Sequence, residues 1–219
     1  MKKLLILSAL LVFACSSDDI DPTIFNTDLD ILENLNNGVA PADIVENVGA
    51  EVLYGLYYGG GYIFHFDEND GGLIVATDYS SQIENKRWGD IFDLDTSEQI
   101  GSGMENTQLI VQGNLNDNSP SNGGIEEFGS EDYIFKIVTD LQFNGFDDWF
   151  VPSSGSMEAI YTNVHSIGMG DFDEAMTYWS STKEGYFPYV MSFDINFGGQ
   201  TFNGLCSQVN GILIARKAY

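Results

Sequence analysis

The sequence predicts an α+β fold: mainly antiparallel strands with two packed helices and long loops. Three observations predict it. Two short strand-like runs flank a Gly- and Asn-rich turn before residue 80, and two later segments carry apolar residues at helical spacing. The C-terminal part then returns to strict alternation between Gly and Asn turns.

In chain order, the first element is MKKLLILSALLVFAC, with Lys2 and Lys3, an apolar run from Leu4 to Phe13, and Ala14 before Cys15. This is the order of a secretory leader, and the run is too short for a membrane-spanning helix. The ending VFAC has the form of a bacterial lipobox, in which Cys15 is acylated and becomes the mature N-terminus. Residues 1–14 are therefore read as a lipoprotein signal peptide and 15–27 as an acidic, solvated tether. The start Ser16-Ser17-Asp18-Asp19 resembles export signals of surface lipoproteins, so the expected location is the outer membrane or cell surface of a bacterium.

Residues 28–49 read as a short helical segment. Leu29, Ile31, Leu32 and Leu35 form one apolar face that stops at Asn37-Gly38. Pro41 opens a second helix with Ile44, Val45 and Val48 as its face and Gly49 as its stop. The main domain spans 50–219. It starts with a hairpin: strand Tyr62 to Phe66, turn Glu68 to Gly72, strand Leu73 to Thr77. The stretch Gln112 to Ser130 is rich in Asn, Gly and Ser and reads as a long exposed loop. Ser130 is placed to cap a helix with Ile134, Ile137, Val138 and Leu141 as its face and Glu131 and Asp132 in its first turn. Pro152 ends a strand, and Ser153 caps a further helix whose face is Met157, Ile160, Tyr161 and Val164. YVMSFDINF and GILIARKAY alternate as strands.

Composition narrows the function classes. The 219 residues carry 33 acidic against 8 basic side chains, a formal charge of -25. Such a surface repels nucleic acid and anionic membranes, so no nucleic-acid partner is expected. Removing Lys2 and Lys3 leaves six basic residues in the exported part. With Cys15 acylated, Cys206 is the one remaining thiol, so no internal disulfide and no two-cysteine mechanism is available.

No catalytic constellation emerges, and no catalytic residue is assigned. His65 alternates within a strand and His165 sits at a helix end, both structural settings. No G-x-S-x-G elbow occurs, and nothing joins a serine or Cys206 to either histidine. IGSGMENT has Asn106 where a dinucleotide fingerprint needs glycine, and it lacks the lysine of a phosphate loop. Calcium is the one cofactor the pattern raises, through Asp67 and Asn69, but Gly71 stands at the next ligand position and a hairpin explains the segment better. Asp147 and Asp148 point to opposite faces of an extended backbone, so they are no glycosidase pair. One of them is expected to accept backbone N–H bonds at the corner before Trp149.

Five ordered motifs, LYGLYYGGGYIF, IGSGMENTQLIV, NGFDDWFVPSS, MEAIYTNVHSIG and YWSST, resemble the Lcl C-terminal domain family, a domain of unknown function in bacterial surface lipoproteins. The resemblance covers roughly Ala40 to the C-terminus and implies a C-type-lectin-like fold over residues 50–219, related to that of formylglycine-generating enzymes. It marks Asp148, Trp149, Pro152 and Trp179 as fold-defining. The copper-dependent chemistry of formylglycine-generating enzymes needs a cysteine pair, and calcium-dependent lectins need E-P-N or Q-P-D with W-N-D. Neither set is present, so neither activity carries over.

Two departures stand out. Ser156 occupies the place of an acidic capping-box residue, with Gly155 before it, which predicts a weaker helix start. The closing strand has Ile214 and Lys217 where the family has arginines, which predicts altered pairing there.

The expected function is a lipid-anchored, non-enzymatic binding or adhesion module for a glycan or surface protein. Its expected binding surface follows YWSST, where Glu184, Tyr186, Phe187, Tyr189 and Asn196 offer aromatic platforms with polar neighbours. Two alternatives stand beside it: an envelope enzyme with a metal-carboxylate site drawn from Asp147, Asp148, Asp171, Asp173 and Glu174, and a subunit of a surface assembly built through strand edges. The leader makes one direct prediction. Cys15→Ala abolishes metabolic labelling by a fatty acid and releases the chain from the membrane fraction; a variant still labelled and membrane-bound contradicts the lipobox.

Overall fold

The computed structural model describes residues 23–89, 94–116, 132–196, 199–206 and 208–218. Cys15, the leader, Ser130 and most of the expected 112–130 loop lie outside the described residues. The fold is α+β with antiparallel sheets. A four-stranded sheet has the order β1 (Tyr57–Tyr58), β2 (Gly61–Phe66), β3 (Leu73–Asp78), β7 (Leu213–Ala218), and a three-stranded sheet runs β4 (Thr177–Glu184), β5 (Phe187–Ser192), β6 (Thr201–Asn203). Five α-helices accompany them among the described residues: α1 (Ile31–Asn36), α2 (Pro41–Val48), α3 (Gly103–Asn116), α4 (Ile134–Thr139) and α5 (Ser154–Asn163).

The alternation of side chains along the larger sheet divides the interior into three clusters. On one face Phe64, Ile74, Ala76, Leu213 and Ala215 meet Met157 and Ile160 of α5 and Val164, its C-cap. On the other, Ile63, Leu73 and Val75 meet Leu35 and Ile44 of the first two helices. Ile214 of the last strand and Ile212 just before it meet Trp88, Trp179, Ile110 of α3, and Ile134, Phe135 and Val138 of α4. The 28–49 segment thus packs directly on the sheet. The end of the expected tether is docked as well: Phe25 packs against this cluster, and Asn34 accepts the Asn26 N–H at 2.8 Å while donating to its carbonyl at 3.0 Å. Asp30 and Glu33 close a reciprocal capping box at the start of α1.

The expected hairpin, the α2 start at Pro41 and the α5 cap at Ser153 fall where the sequence puts them. The helix α4 begins at Ile134 after Tyr133, which gives no side-chain cap. Two further expectations need correction. Val48 is exposed, so the apolar face of α2 rests on Ile44 and Val45. Residues 112–116, read as loop, belong to α3. The buried positions of that helix are Gly103, Asn106, Thr107, Ile110 and Asn114, while Leu109 is exposed. Its inner face is therefore small and polar, and apolar periodicity cannot reveal it.

At the start of α5, Ser153 Oγ accepts the Ser156 N–H at 3.2 Å and the first turn holds no acidic residue. Gly155 and Ser156 are contact residues with a purpose. The Gly155 N–H donates to the Glu98 carbonyl at 2.9 Å, and Ser156 Oγ accepts the Gly101 N–H at 3.1 Å. Ser153 Oγ donates to the Gln99 carbonyl at 2.6 Å. Residues 98–101 are thus laid across the helix start, and Ser156 is fully buried, where an acidic side chain would lose its solvation.

A Cβ at Gly155 would stand 2.5 Å from the Glu98 carbonyl oxygen. Gly155→Ala therefore destabilises by about 1–3 kcal/mol through displacement of this segment, against a helix-propensity gain of at most ~1 kcal/mol. Urea unfolding checks it: a lowered midpoint is expected, and an unchanged or raised midpoint contradicts the docking.

Candidate functional site

The expected binding residues start at the end of β4. Glu184 pairs with Phe187 across a two-residue turn, Gly185-Tyr186, with Gly185 at φ +57°, a value that favours glycine at the first turn position. Phe187 and Tyr189, two residues apart, share one face of β5. The Tyr189 hydroxyl donates to Glu184 Oε2 at 2.7 Å, and that bond, with some burial, raises the phenol above its ordinary range. At the tip Tyr186 is 65% exposed and Phe187 42%. Glu184, Tyr186, Phe187 and Tyr189 are therefore gathered on one hairpin. Asn196 lies beyond the opposite end of β5, a strand length of roughly 17–20 Å away, with its backbone N–H and side-chain amide both on Asp194 Oδ1, at 2.8 and 2.9 Å.

The base of the hairpin is held by residues the sequence reading passed over. Lys183 is 1% exposed, and its ammonium donates to the carbonyls of Leu94, at 3.3 Å, and Gly185. Thr96 Oγ1 accepts the Lys183 N–H at 2.8 Å and donates to the Ser181 carbonyl at 2.7 Å, and Asp95 accepts the Gly185 N–H at 3.0 Å. A lysine flanked by Thr and Glu reads as a solvated strand residue. Only the fold shows it drawn inward against the 94–96 segment. The exposed aromatic tip is thus mounted on a rigid base.

The fold-defining residues take different roles. Trp149 and Trp179 are buried in one cluster, with indole N–H bonds to the carbonyls of Phe143 (3.1 Å) and Lys86 (2.8 Å). Pro152 stands immediately before the Ser153 cap. Backbone N–H bonds are expected on one of Asp147 and Asp148, and among the described residues neither accepts them; Asp148 is instead an ion-pair partner. It receives Arg216 in a two-point pair, Nε at 2.6 Å and Nη2 at 3.0 Å, while Nη1 reaches the Gly59 carbonyl at 2.8 Å. The guanidinium also stands 3.7 Å from the centre of the Phe146 ring. Pairing on the closing strand is thus carried by Arg216, with Lys217 bound to Asp70 at 2.8 Å and 3.9 Å from Asp67.

The other acidic residues are scattered in role. Asp173 accepts the Ala175 N–H at 2.8 Å, and Glu174 lies 3.8 Å from His165 Nε2. Asp147 and Asp171 are exposed. Among the described residues, no three His, Cys, Asp or Glu side chains converge in a metal-binding group. In the hairpin once considered for calcium, Asp67 Oδ1 accepts both the backbone N–H and the amide of Asn69, and the Lys217 ammonium supplies the nearby positive charge. It holds the Asp70 carboxyl below its ordinary range.

His165 is buried among Tyr161, Phe172 and Phe193. His65 is half-buried in β2, where desolvation lowers its imidazole below the ordinary value against the pull of Asp67 and Glu68. Cys206 packs at the edge of the tryptophan cluster and forms no disulfide among the described residues.

No family model matches the chain, and no curated protein matches it.

Proposed function

We propose that this chain is a lipid-anchored binding module of the bacterial cell envelope, non-enzymatic, that presents a C-type-lectin-like domain of the Lcl C-terminal type to a glycan or a surface protein. The anchor is the leader ending at Cys15, and the location is the outer membrane or cell surface. The ordered motifs and the α+β architecture support the family and fold reading.

One observation carries the binding reading: the β4–β5 hairpin exposes Tyr186 and Phe187 beside the Tyr189–Glu184 hydrogen bond, on a base fixed by buried Lys183. Aromatic rings held rigidly with polar neighbours lose little entropy on binding, which is the economy of a recognition surface. They stack on sugar rings or fill a partner's apolar pocket, and Glu184 accepts from a hydroxyl or amide.

The experiment is a glycan and surface-protein array probed with the chain from residue 16, which keeps every described residue. Selective binding is expected, weakened about tenfold or more by Tyr186→Ser with Phe187→Ser, since two such contacts are each worth at least ~1 kcal/mol. Folded protein that is silent on both arrays, or a double variant that binds as the parent does, overturns the proposal.

A further inference from the structure

A second site stands on other elements, independent of the hairpin. Tyr57 of β1 faces Tyr62 of β2 in register, and their rings meet edge-to-face at 5.2 Å. Tyr62 meets Phe172 in turn at 6.4 Å. These three rings, with Thr77 and Asp78 at the end of β3, Ser81 after it, and Asp171, line a cleft of about 340 Å³. That volume lies at the low end of the range for small-ligand pockets.

The charge in this cleft is one-sided. Asp78 is fixed by two donors, Ser80 N–H on Oδ1 at 2.7 Å and the Tyr178 hydroxyl on Oδ2 at 2.6 Å. Both donors are neutral, and each carboxylate oxygen keeps a further lone pair. Burial and the Asp78 carboxylate push the Tyr178 phenol up, so it remains a donor. Asp171 makes no hydrogen bond or ion pair among the described residues, and its charge adds to burial in raising the Tyr62 phenol. No Lys, Arg or His lines the cleft.

Among the described residues, five cationic side chains are held by partners outside this cleft. Lys86 is paired with Asp132, Lys136 with Asp140, Arg216 with Asp148 and Lys217 with Asp70. Lys183 is buried on backbone carbonyls. These are five of the six basic residues that follow Lys3.

We propose that this cleft binds an organic ammonium group, with Asp78 and Asp171 supplying the counter-charge and Tyr57, Tyr62 and Phe172 the aromatic walls. An alkylammonium is weakly hydrated along its carbon chain and is attracted to ring faces as well as to carboxylates, so both halves of the lining favour it. A hard metal ion needs six or more oxygen ligands and gains nothing from three rings. A neutral sugar stacks on the rings but leaves the two carboxylates unneutralised. The ammonium comes from a free amine or from a lysine side chain of a partner.

The test is titration of the chain from residue 16, followed by calorimetry and by aromatic proton shifts at low salt. The probes are n-butylammonium with its neutral counterpart n-butanol, and the peptide Gly-Lys-Gly with its norleucine counterpart. Saturable binding of butylammonium or of the lysine peptide is expected, with shifts at the Tyr57 and Tyr62 rings and none from the neutral counterparts. Binding of the amine alone makes this a small-amine site, and binding of the peptide alone a lysine-docking site; both support the proposal.

Asp171→Asn, at an exposed position, should weaken binding about tenfold, while Tyr186→Ser with Phe187→Ser leaves it unchanged. Absence of ammonium binding, equal binding of the neutral counterparts, or an unaffected Asp171→Asn variant overturns it. Array results at the hairpin bear on neither outcome.

Discussion

The structure depends on four residues of extended chain, Trp149-Phe150-Val151-Pro152, that run between the two sheets and bond to both. The Phe150 N–H donates to the Ala215 carbonyl and the Ala215 N–H returns to the Phe150 carbonyl, each at 2.9 Å, which ties the segment to β7. The Ser181 N–H donates to the Pro152 carbonyl at 2.8 Å, which ties it to β4. The Val151 N–H donates to Thr107 Oγ1 of α3 at 3.1 Å, and proline has no N–H to place. Buried peptide groups left without partners cost about 1–3 kcal/mol each, so this segment holds only where β7, β4 and α3 arrive together.

Side-chain alternation makes the same segment a wall. Phe150 points into the cluster over α5, while Trp149 and Val151 point into the tryptophan cluster beneath α3 and α4. β7 divides in the same way, Leu213 and Ala215 on one side and Ile214, with Ile212 just before the strand, on the other. Asp148, just before the wall, locks to Arg216 of β7, and Ser153, just after it, caps α5 under the 98–101 segment. The acidic pair that draws the eye in NGFDDWFVPSS is thus scaffold chemistry. The hairpin tip and the aromatic cleft stand at the margins of the frame it holds.

The parts of the fold legible in the sequence are those whose signals are local. The 62–77 hairpin announces itself by two short apolar runs around a glycine turn, and α5 by Pro152 and Ser153. The unread parts depend on tertiary contact. α3 buries Asn106, whose side chain bonds the Ser97 N–H and carbonyl at 3.0 and 2.7 Å and Ser181 Oγ at 3.1 Å, so its inner face is polar by design of the fold. Asp148 has its partner 68 residues away in Arg216, and Lys183 is buried by a segment nearly ninety residues earlier. Glu184, Tyr186, Phe187 and Tyr189 lie within one hairpin and so could be grouped from sequence. The cleft of Tyr57, Tyr62, Asp78 and Asp171 draws on distant stretches and could not.

Native-state hydrogen exchange at the wall tests this dependence most directly. The amides of Phe150, Val151, Ser181 and Ala215 should exchange only by global unfolding, with the same free energy and denaturant dependence as the central amides of β3 and β5. If the Phe150 and Ser181 amides exchange through local opening while both sheets stay protected, the two sheets stand without the segment between them and the account is contradicted.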